Sequence, residues 1–93
     1  MGERDTEQKL VKAARAMRGI APKFVSPGCD GMPDRIVLLP GGKIAFVEAK
    51  APGRRPRPLQ LRRHEALRRL GFKVYVLDDA SQIGVILHAI QTA

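Results

Sequence analysis

The sequence has no tryptophan, and its four aromatic residues, Phe24, Phe46, Phe72 and Tyr75, all fall in stretches patterned as core. Base-stacking platforms are therefore not a main route to nucleic acid here. A single cysteine, Cys29, excludes an intrachain disulfide, and with no histidine beside it in sequence it reads as a loop thiol. No run of about 18 apolar residues is present, so a membrane-spanning helix is not expected. The first nine residues are polar and charged, unlike a signal peptide, and a cytoplasmic protein is the expectation. Histidine and cysteine never occur at zinc-finger spacing, and no glycine-rich loop of the Walker or dinucleotide type appears. Acidic residues are also scarce, nine against 17 lysines and arginines, giving a net charge of +8. Such a surplus suits a phosphate backbone or an anionic surface.

What remains is a globular composition, 44% hydrophobic over 93 residues, enough for one small domain spanning 1–93. Leu10, Val11, Ala14 and Met17 are spaced as one helical face, predicting a helix over Thr6–Arg18 ended by Gly19. Pro22–Ser26 leans towards a first strand, and Pro27–Pro33 is dense in turn residues. Asp34–Leu39 and Lys43–Lys50 read as strands of a hairpin around Pro40-Gly41-Gly42. Ala51–Pro58, with three prolines and three arginines, is a basic loop. Pro58 opens a helix to about Leu70, stopped by Gly71, and Phe72–Leu77 is an apolar strand. A last helix starts near Asp78, Asp79 or Ser81 and runs through Ile90. The order α-β-β-β-α-β-α predicts an α/β fold, a mixed sheet flanked by helices. Ile83, Val85, Ile86, Leu87 and Ile90 are apolar enough either to pack in the core or to meet a partner.

The few acids are placed suggestively. Side chains alternate along a strand, so Asp34, Ile36 and Leu38 share a face, as do Ile44, Phe46, Glu48 and Lys50. The hairpin sets the end of the second of these strands beside the start of the first. Asp34 then meets Glu48 and Lys50, provided the two faces coincide. Two carboxylates can hold a Mg²⁺ ion while leaving positions for water and a phosphate oxygen, and a lysine can orient that water. The plainer alternative is a turn aspartate and a surface Glu–Lys pair, since Glu-x-Lys is common. Against it, Glu48 shares its face with Ile44 and Phe46, where an ionised carboxylate is unfavourable without a compensating cation. Glu7 precedes Leu10, Val11 and Ala14 by three, four and seven positions, on the apolar side of the first helix. It is either a site residue or a first-turn acid favoured by the helix dipole. Gln60, His64 and Leu67 share one face of the second helix. Gln60 is a helix-start residue facing solvent or a site residue; His64 reads as an amphipathic-boundary residue, with a phosphate contact as the alternative.

Arg54, Arg55, Arg57, Arg62, Arg63, Arg68 and Arg69 crowd the loop and helix after Lys50, with Glu65 the only acid nearby. Arginine suits bidentate phosphate contact. Lys9, Lys12, Arg15 and Arg18 form a second basic group. Backbone contacts of this kind carry no sequence information, so recognition of DNA shape is expected.

Taken together, Glu7, Gly31-Met-Pro-Asp34-Arg35, Glu48-Ala-Lys50, the basic loop and Pro58-Leu-Gln60 resemble the VRR-NUC domain of the PD-(D/E)xK nuclease superfamily. Gly71-Phe-Lys-Val-Tyr-Val76 is similar to that family's later strand, so the resemblance covers nearly the whole chain, as in stand-alone phage and bacterial members. It implies a restriction-endonuclease-like core and a Mg²⁺- or Mn²⁺-dependent DNA endonuclease in a bacterial or phage-infected cell. Asp34, Glu48 and the Ala49 carbonyl would be metal ligands, with Glu7 reaching the metal directly or through water. Lys50 would position the attacking water, and Gln60 would orient Lys50 or the phosphate. Arg35, Arg54, Arg55, Arg57, Arg62 and Arg63 are the residues expected at the DNA. Stand-alone members look like homodimers that cut four-way junctions. Flaps, nicks or linear duplex are alternative substrates, and a non-catalytic basic DNA-binding module is the alternative class.

Overall fold

A computed structural model describes residues 2–93. The elements are α1 (Glu3–Ala16), β1 (Arg35–Leu39), β2 (Lys43–Ala49), α2 (Pro58–Arg69), β3 (Lys73–Leu77), a 3-10 turn (Ala80–Gln82) and α3 (Ile83–Gln91). The sheet runs β1-β2-β3, with β1 and β2 antiparallel and β2 and β3 parallel, so the expected mixed sheet is present. The tight Pro40–Gly42 turn makes the first pairing antiparallel. The second is parallel because α2 carries the chain back between β2 and β3.

The segment expected as a first strand is a broken edge. It lies antiparallel to β1 through isolated bridges, Ile20 to Leu38 and Lys23 to Arg35. Ile20 and Leu38 exchange two backbone hydrogen bonds of 2.9 Å, and Phe24 N–H donates to the Asp34 carbonyl at 2.7 Å. Pro22, between them, has no N–H to give and only accepts, from Ile36. Helix α1 also starts three residues before the expected Thr6. Thr6 lies inside the helix, buried, its hydroxyl donating to the Gly2 carbonyl. The earlier start puts Glu3 on the helix.

The sheet has two unlike faces. Val37, Leu39, Ala45, Val47 and Leu77 pack against Leu10 and Ala14 of α1 and Ile83, Ile86, Leu87 and Ile90 of α3. Each of the Val, Leu and Ile side chains among them, fully buried, contributes about 1.5–3 kcal/mol. The apolar positions of α3 are thus core rather than a partner surface; only Val85 among them points outward, 73% exposed. On the other face Phe46 and Val74 meet Leu67 of α2, with Phe24, Met32 and Ile36 at the margin. Phe46 makes edge-on contacts with Phe24 and Phe72 at centroid separations of 5.5 and 5.7 Å. Among the described residues no helix is long and apolar enough to cross a membrane.

Gly19 lets the chain leave α1 flush against β1. A Cβ there would lie 2.4 Å from the Leu38 carbonyl oxygen and 2.6 Å from Leu39 Cδ2. Gly19→Ala is expected to destabilise the fold by about 2 kcal/mol or more, because backbone must move. Gly84, in the first turn of α3, has nothing within 4 Å of such a Cβ. Gly84→Ala should instead stabilise by a few tenths to about 1 kcal/mol. Thermal unfolding of the two variants checks both signs.

Candidate active site

The turn before β1 is built to deliver an aspartate. Gly31 has a φ of +83°, and a Cβ on it would meet Leu59 Cγ at 2.9 Å and Arg63 Cγ at 3.2 Å. Glycine therefore allows both the turn and its close seat on α2. Pro33 is fully buried, and Asp34 follows as the chain enters the sheet. Arg35 pairs with Val47 and Ile36 with Phe46, so the register continues to set Asp34 opposite Glu48, on the α2 face. Asp34 Oδ2 accepts the Ala49 N–H at 3.0 Å, which ties the aspartate to the end of β2. Lys50 N–H donates to the Leu77 carbonyl at 2.8 Å, so pairing with β3 continues through this region.

Glu48 is 1% exposed. Its Oε2 accepts from Gln60 Nε2 at 2.8 Å and lies 3.4 Å from Lys50 Nζ. Gln60 Oε1 accepts the Arg57 N–H at 2.8 Å, which leaves the amide NH₂ to face Glu48. Burial raises the Glu48 carboxyl, and the neighbouring Asp34 charge raises it further. Lys50 opposes both, and the outcome is a pKa pushed up to about 7. Glu48 Oε1 is buried without a hydrogen-bond partner and lies 3.7 Å from Nε2 of His64, itself fully buried. Burial, then the Arg68 and Lys50 charges, lower the pKa of that imidazole. The helical face carrying Gln60, His64 and Leu67 is the buried face of α2, so neither Gln60 nor His64 is the solvent or boundary residue its composition suggested.

Two carboxylates share one lysine, so burial and the Asp34 charge together outweigh Lys50 at Glu48. A hard divalent cation takes such oxygens and would relieve the repulsion. Asp34 and Glu48, two carboxylates set opposite each other on paired strands, fit such an ion. Glu7 does not join them. Arg35 and Val47 alternate onto the opposite sheet face, under α1, where Arg35 Nε donates to Glu7 Oε1 at 2.8 Å and Nη1 to the Ala21 carbonyl at 3.0 Å. Both side chains are mostly buried, so Arg35, expected at the DNA, instead fastens α1 to β1. Among the described residues no three His, Cys, Asp or Glu side chains gather as a metal-ligand group.

A groove of about 590 Å³ borders Lys50, lined by Arg54, Arg55 and Arg57 of the loop and by Glu3 of α1. Glu3, not Glu7, is the α1 acid on the Lys50 side. It lay outside the expected helix, and a first-turn acid was its only sequence signal. Arg54, Arg55, Arg57 and Arg62 are exposed and, among the described residues, form no ion pair. Arg63 is half-buried, its Nε donating to the Asp30 carbonyl at 2.8 Å, and Arg68 donates to the Val74 carbonyl. A second hollow of about 600 Å³ is lined by Lys9, Lys12 and Arg15 of α1 and by Arg35 of β1, with no carboxylate in its lining.

No family model matches the chain. A curated protein named "Putative nuclease p44", from Acyrthosiphon pisum secondary endosymbiont phage 1, is 57% identical over 77 residues, which cover 83% of each chain. A solved structure described as "VRR_NUC domain" aligns over 92% of this chain and 94% of its own, at 33% identity and a TM-score of 0.86. Similarity of this extent in both sequence and fold shows that the chain belongs to the VRR-NUC nuclease family.

Proposed function

We propose that the protein is a divalent-metal-dependent DNA endonuclease whose site is built around Asp34, Glu48 and Lys50. The observation that carries this reading is the buried Glu48 carboxylate, opposite a second carboxylate and beside Lys50, which lines an arginine-rich groove. Such an arrangement is unfavourable by itself and becomes favourable when a cation and a polyanion meet there. Asp34 and Glu48, with the Ala49 carbonyl, would hold Mg²⁺ or Mn²⁺. When bound, the ion supplies an acidified water and neutralises charge on the scissile phosphate. Hydrolysis forms one P–O bond from water and breaks one ester P–O bond, the departing alkoxide taking a proton. Lys50 orients the water and carries positive charge towards the phosphate oxygens. Gln60, locked by the Arg57 N–H, holds Glu48 and so indirectly Lys50. Glu3 takes the α1 position facing the groove, while Glu7 keeps Arg35 in place.

Arg54, Arg55, Arg57 and Arg62 meet the DNA backbone, with Arg63 seating the Gly31 turn beside them. Phe72, the one exposed aromatic, packs edge-on against Phe46, and the exposed arginines favour recognition of backbone shape. The substrate we favour is a branched, four-way DNA, cut by a homodimer whose two sites match its two-fold symmetry.

Cleavage of a four-way junction in Mg²⁺ should fall about 100-fold or more in Lys50→Ala and in Asp34→Ala. Undiminished cutting by both would reject the site. Flap, nicked and linear duplexes at the same salt should be cut more slowly than the junction. Salt-sensitive binding with no cleavage in any metal would favour the DNA-binding module instead.

The raised Glu48 pKa also makes a prediction about stability. Below pH 4.5 the group is protonated in both the folded and the unfolded chain. As pH rises to about 7, only the unfolded chain ionises freely, so the metal-free fold loses stability. Glu48→Gln removes this dependence. Its unfolding free energy should match wild type near pH 4 and exceed it above pH 7 by up to the order of 3 kcal/mol, at ~1.4 kcal/mol per pKa unit. Adding Mg²⁺ at pH 8 should stabilise wild type and not the variant. Denaturant unfolding with a chelator, and then with Mg²⁺, measures both.

A further inference from the structure

We propose that His64 is a positioning residue of the nuclease site, donating from Nε2 to Glu48 Oε1 and so holding the Glu48 carboxylate in its ligating orientation. The inference rests on the reading of Glu48 as a metal ligand. Three buried polar atoms lack a hydrogen-bond partner among the described residues: Glu48 Oε1, His64 Nε2 and His64 Nδ1. Two of them face each other at 3.7 Å, a gap that a small side-chain rotation closes to hydrogen-bond length. Unsatisfied buried polar groups are rare, and two that converge on a functional carboxylate point to a contact made when that carboxylate is engaged.

The rest of the Glu48 environment is already assigned. Gln60 and Lys50 occupy Oε2, and Asp34 lies opposite. The nitrogen facing Oε1 is His64 Nε2 of α2, and Gln60 and His64 stand four residues apart on the buried face of that helix. They would grip the two oxygens of one carboxylate from a single rigid element. An imidazole protonated at Nε2, whether neutral or cationic, has a hydrogen to give Oε1. A neutral imidazole carries one hydrogen. On Nδ1 it would leave two acceptors, Nε2 and Oε1, facing each other in a buried space. On Nε2 it satisfies Glu48. This is the role of an outer-shell hydrogen bond, which fixes the orientation of a ligand without touching substrate.

The test compares wild type, His64→Phe, which fills the space without an N–H, and His64→Gln, which restores a donor. Mn²⁺ affinity is read by titration calorimetry, junction cleavage by kcat and KM, and folding by thermal melting. His64→Phe is expected to weaken Mn²⁺ binding and lower kcat about 10- to 100-fold, with KM for DNA unchanged. His64→Gln should recover most of both. A folded His64→Phe with wild-type Mn²⁺ affinity, or equal losses in Phe and Gln, overturns the proposal. Should His64→Phe not fold, long-range ¹H–¹⁵N spectra of the unmutated protein decide. The hydrogen is expected on Nε2, with its resonance shifting as Mg²⁺ is added; a hydrogen on Nδ1 overturns the proposal. A wild type that binds no divalent ion and cuts no DNA overturns the functional reading as well. A wild type that does both while His64→Phe matches it overturns only the role of His64.

Discussion

Glu48 brings a carboxylate into a place where water cannot reach it, and most of the surrounding structure is arranged about that fact. Two groups meet its Oε2, one from α2 and one from just past the end of β2, while Asp34 presses a second negative charge against it. Burial first and the Asp34 charge second push the carboxyl up to about 7, more than the single Lys50 offsets. A protein of this size has little stability to set against such a burden. The placement makes sense where a cation completes the charge balance, so that the same repulsion that weakens the metal-free fold becomes affinity for an ion.

The two faces of a three-stranded sheet divide the labour. Towards α1 and α3 lies the larger apolar core, and the Arg35–Glu7 pair sits at its edge as a cross-brace. Towards α2 the core is smaller and gives way to the polar set of Asp34, Glu48, Lys50, Gln60 and His64. Alternation along β1 and β2 enforces this separation: adjacent residues Asp34 and Arg35 go to opposite faces, and so to opposite purposes. Beyond the sheet end the Ala51–Arg57 loop cannot be regular, with prolines at 52 and 56, and its arginines remain in solvent beside Lys50. Their charge has no acidic partner among the described residues, which leaves it available to phosphate.

Much of this was legible in the residues. Strand alternation and the Gly41–Gly42 turn allowed Asp34 to stand opposite Glu48, and the strand pairing then fixed that register. Gly71, Pro58 and the spacing of Leu10, Ala14 and Met17 marked helix positions to within a few residues. The broken first strand was not readable, since Pro22 sits where a ladder needs a donor but where β-leaning neighbours still suggest a strand. Glu7 was placed on the inner side of α1, as found, yet which sheet face that side would meet was not in the pattern. His64 was read as a boundary residue because histidine in an arginine-rich helix looks solvated.

The sequence by itself determined the local chemistry: a helix–hairpin–helix–strand order, two acids and a lysine on neighbouring strands, and a surplus of arginine. These follow from periodicities and turn residues within a dozen positions of one another. Tertiary structure alone decided which distant side chains share a space. It paired Glu7 with Arg35, brought Glu3 to the groove, and turned Gln60 and His64 inward onto Glu48. The physical reason is that burial and electrostatic coupling depend on packing between elements, and helix periodicity states which residues share a face without stating what that face will meet.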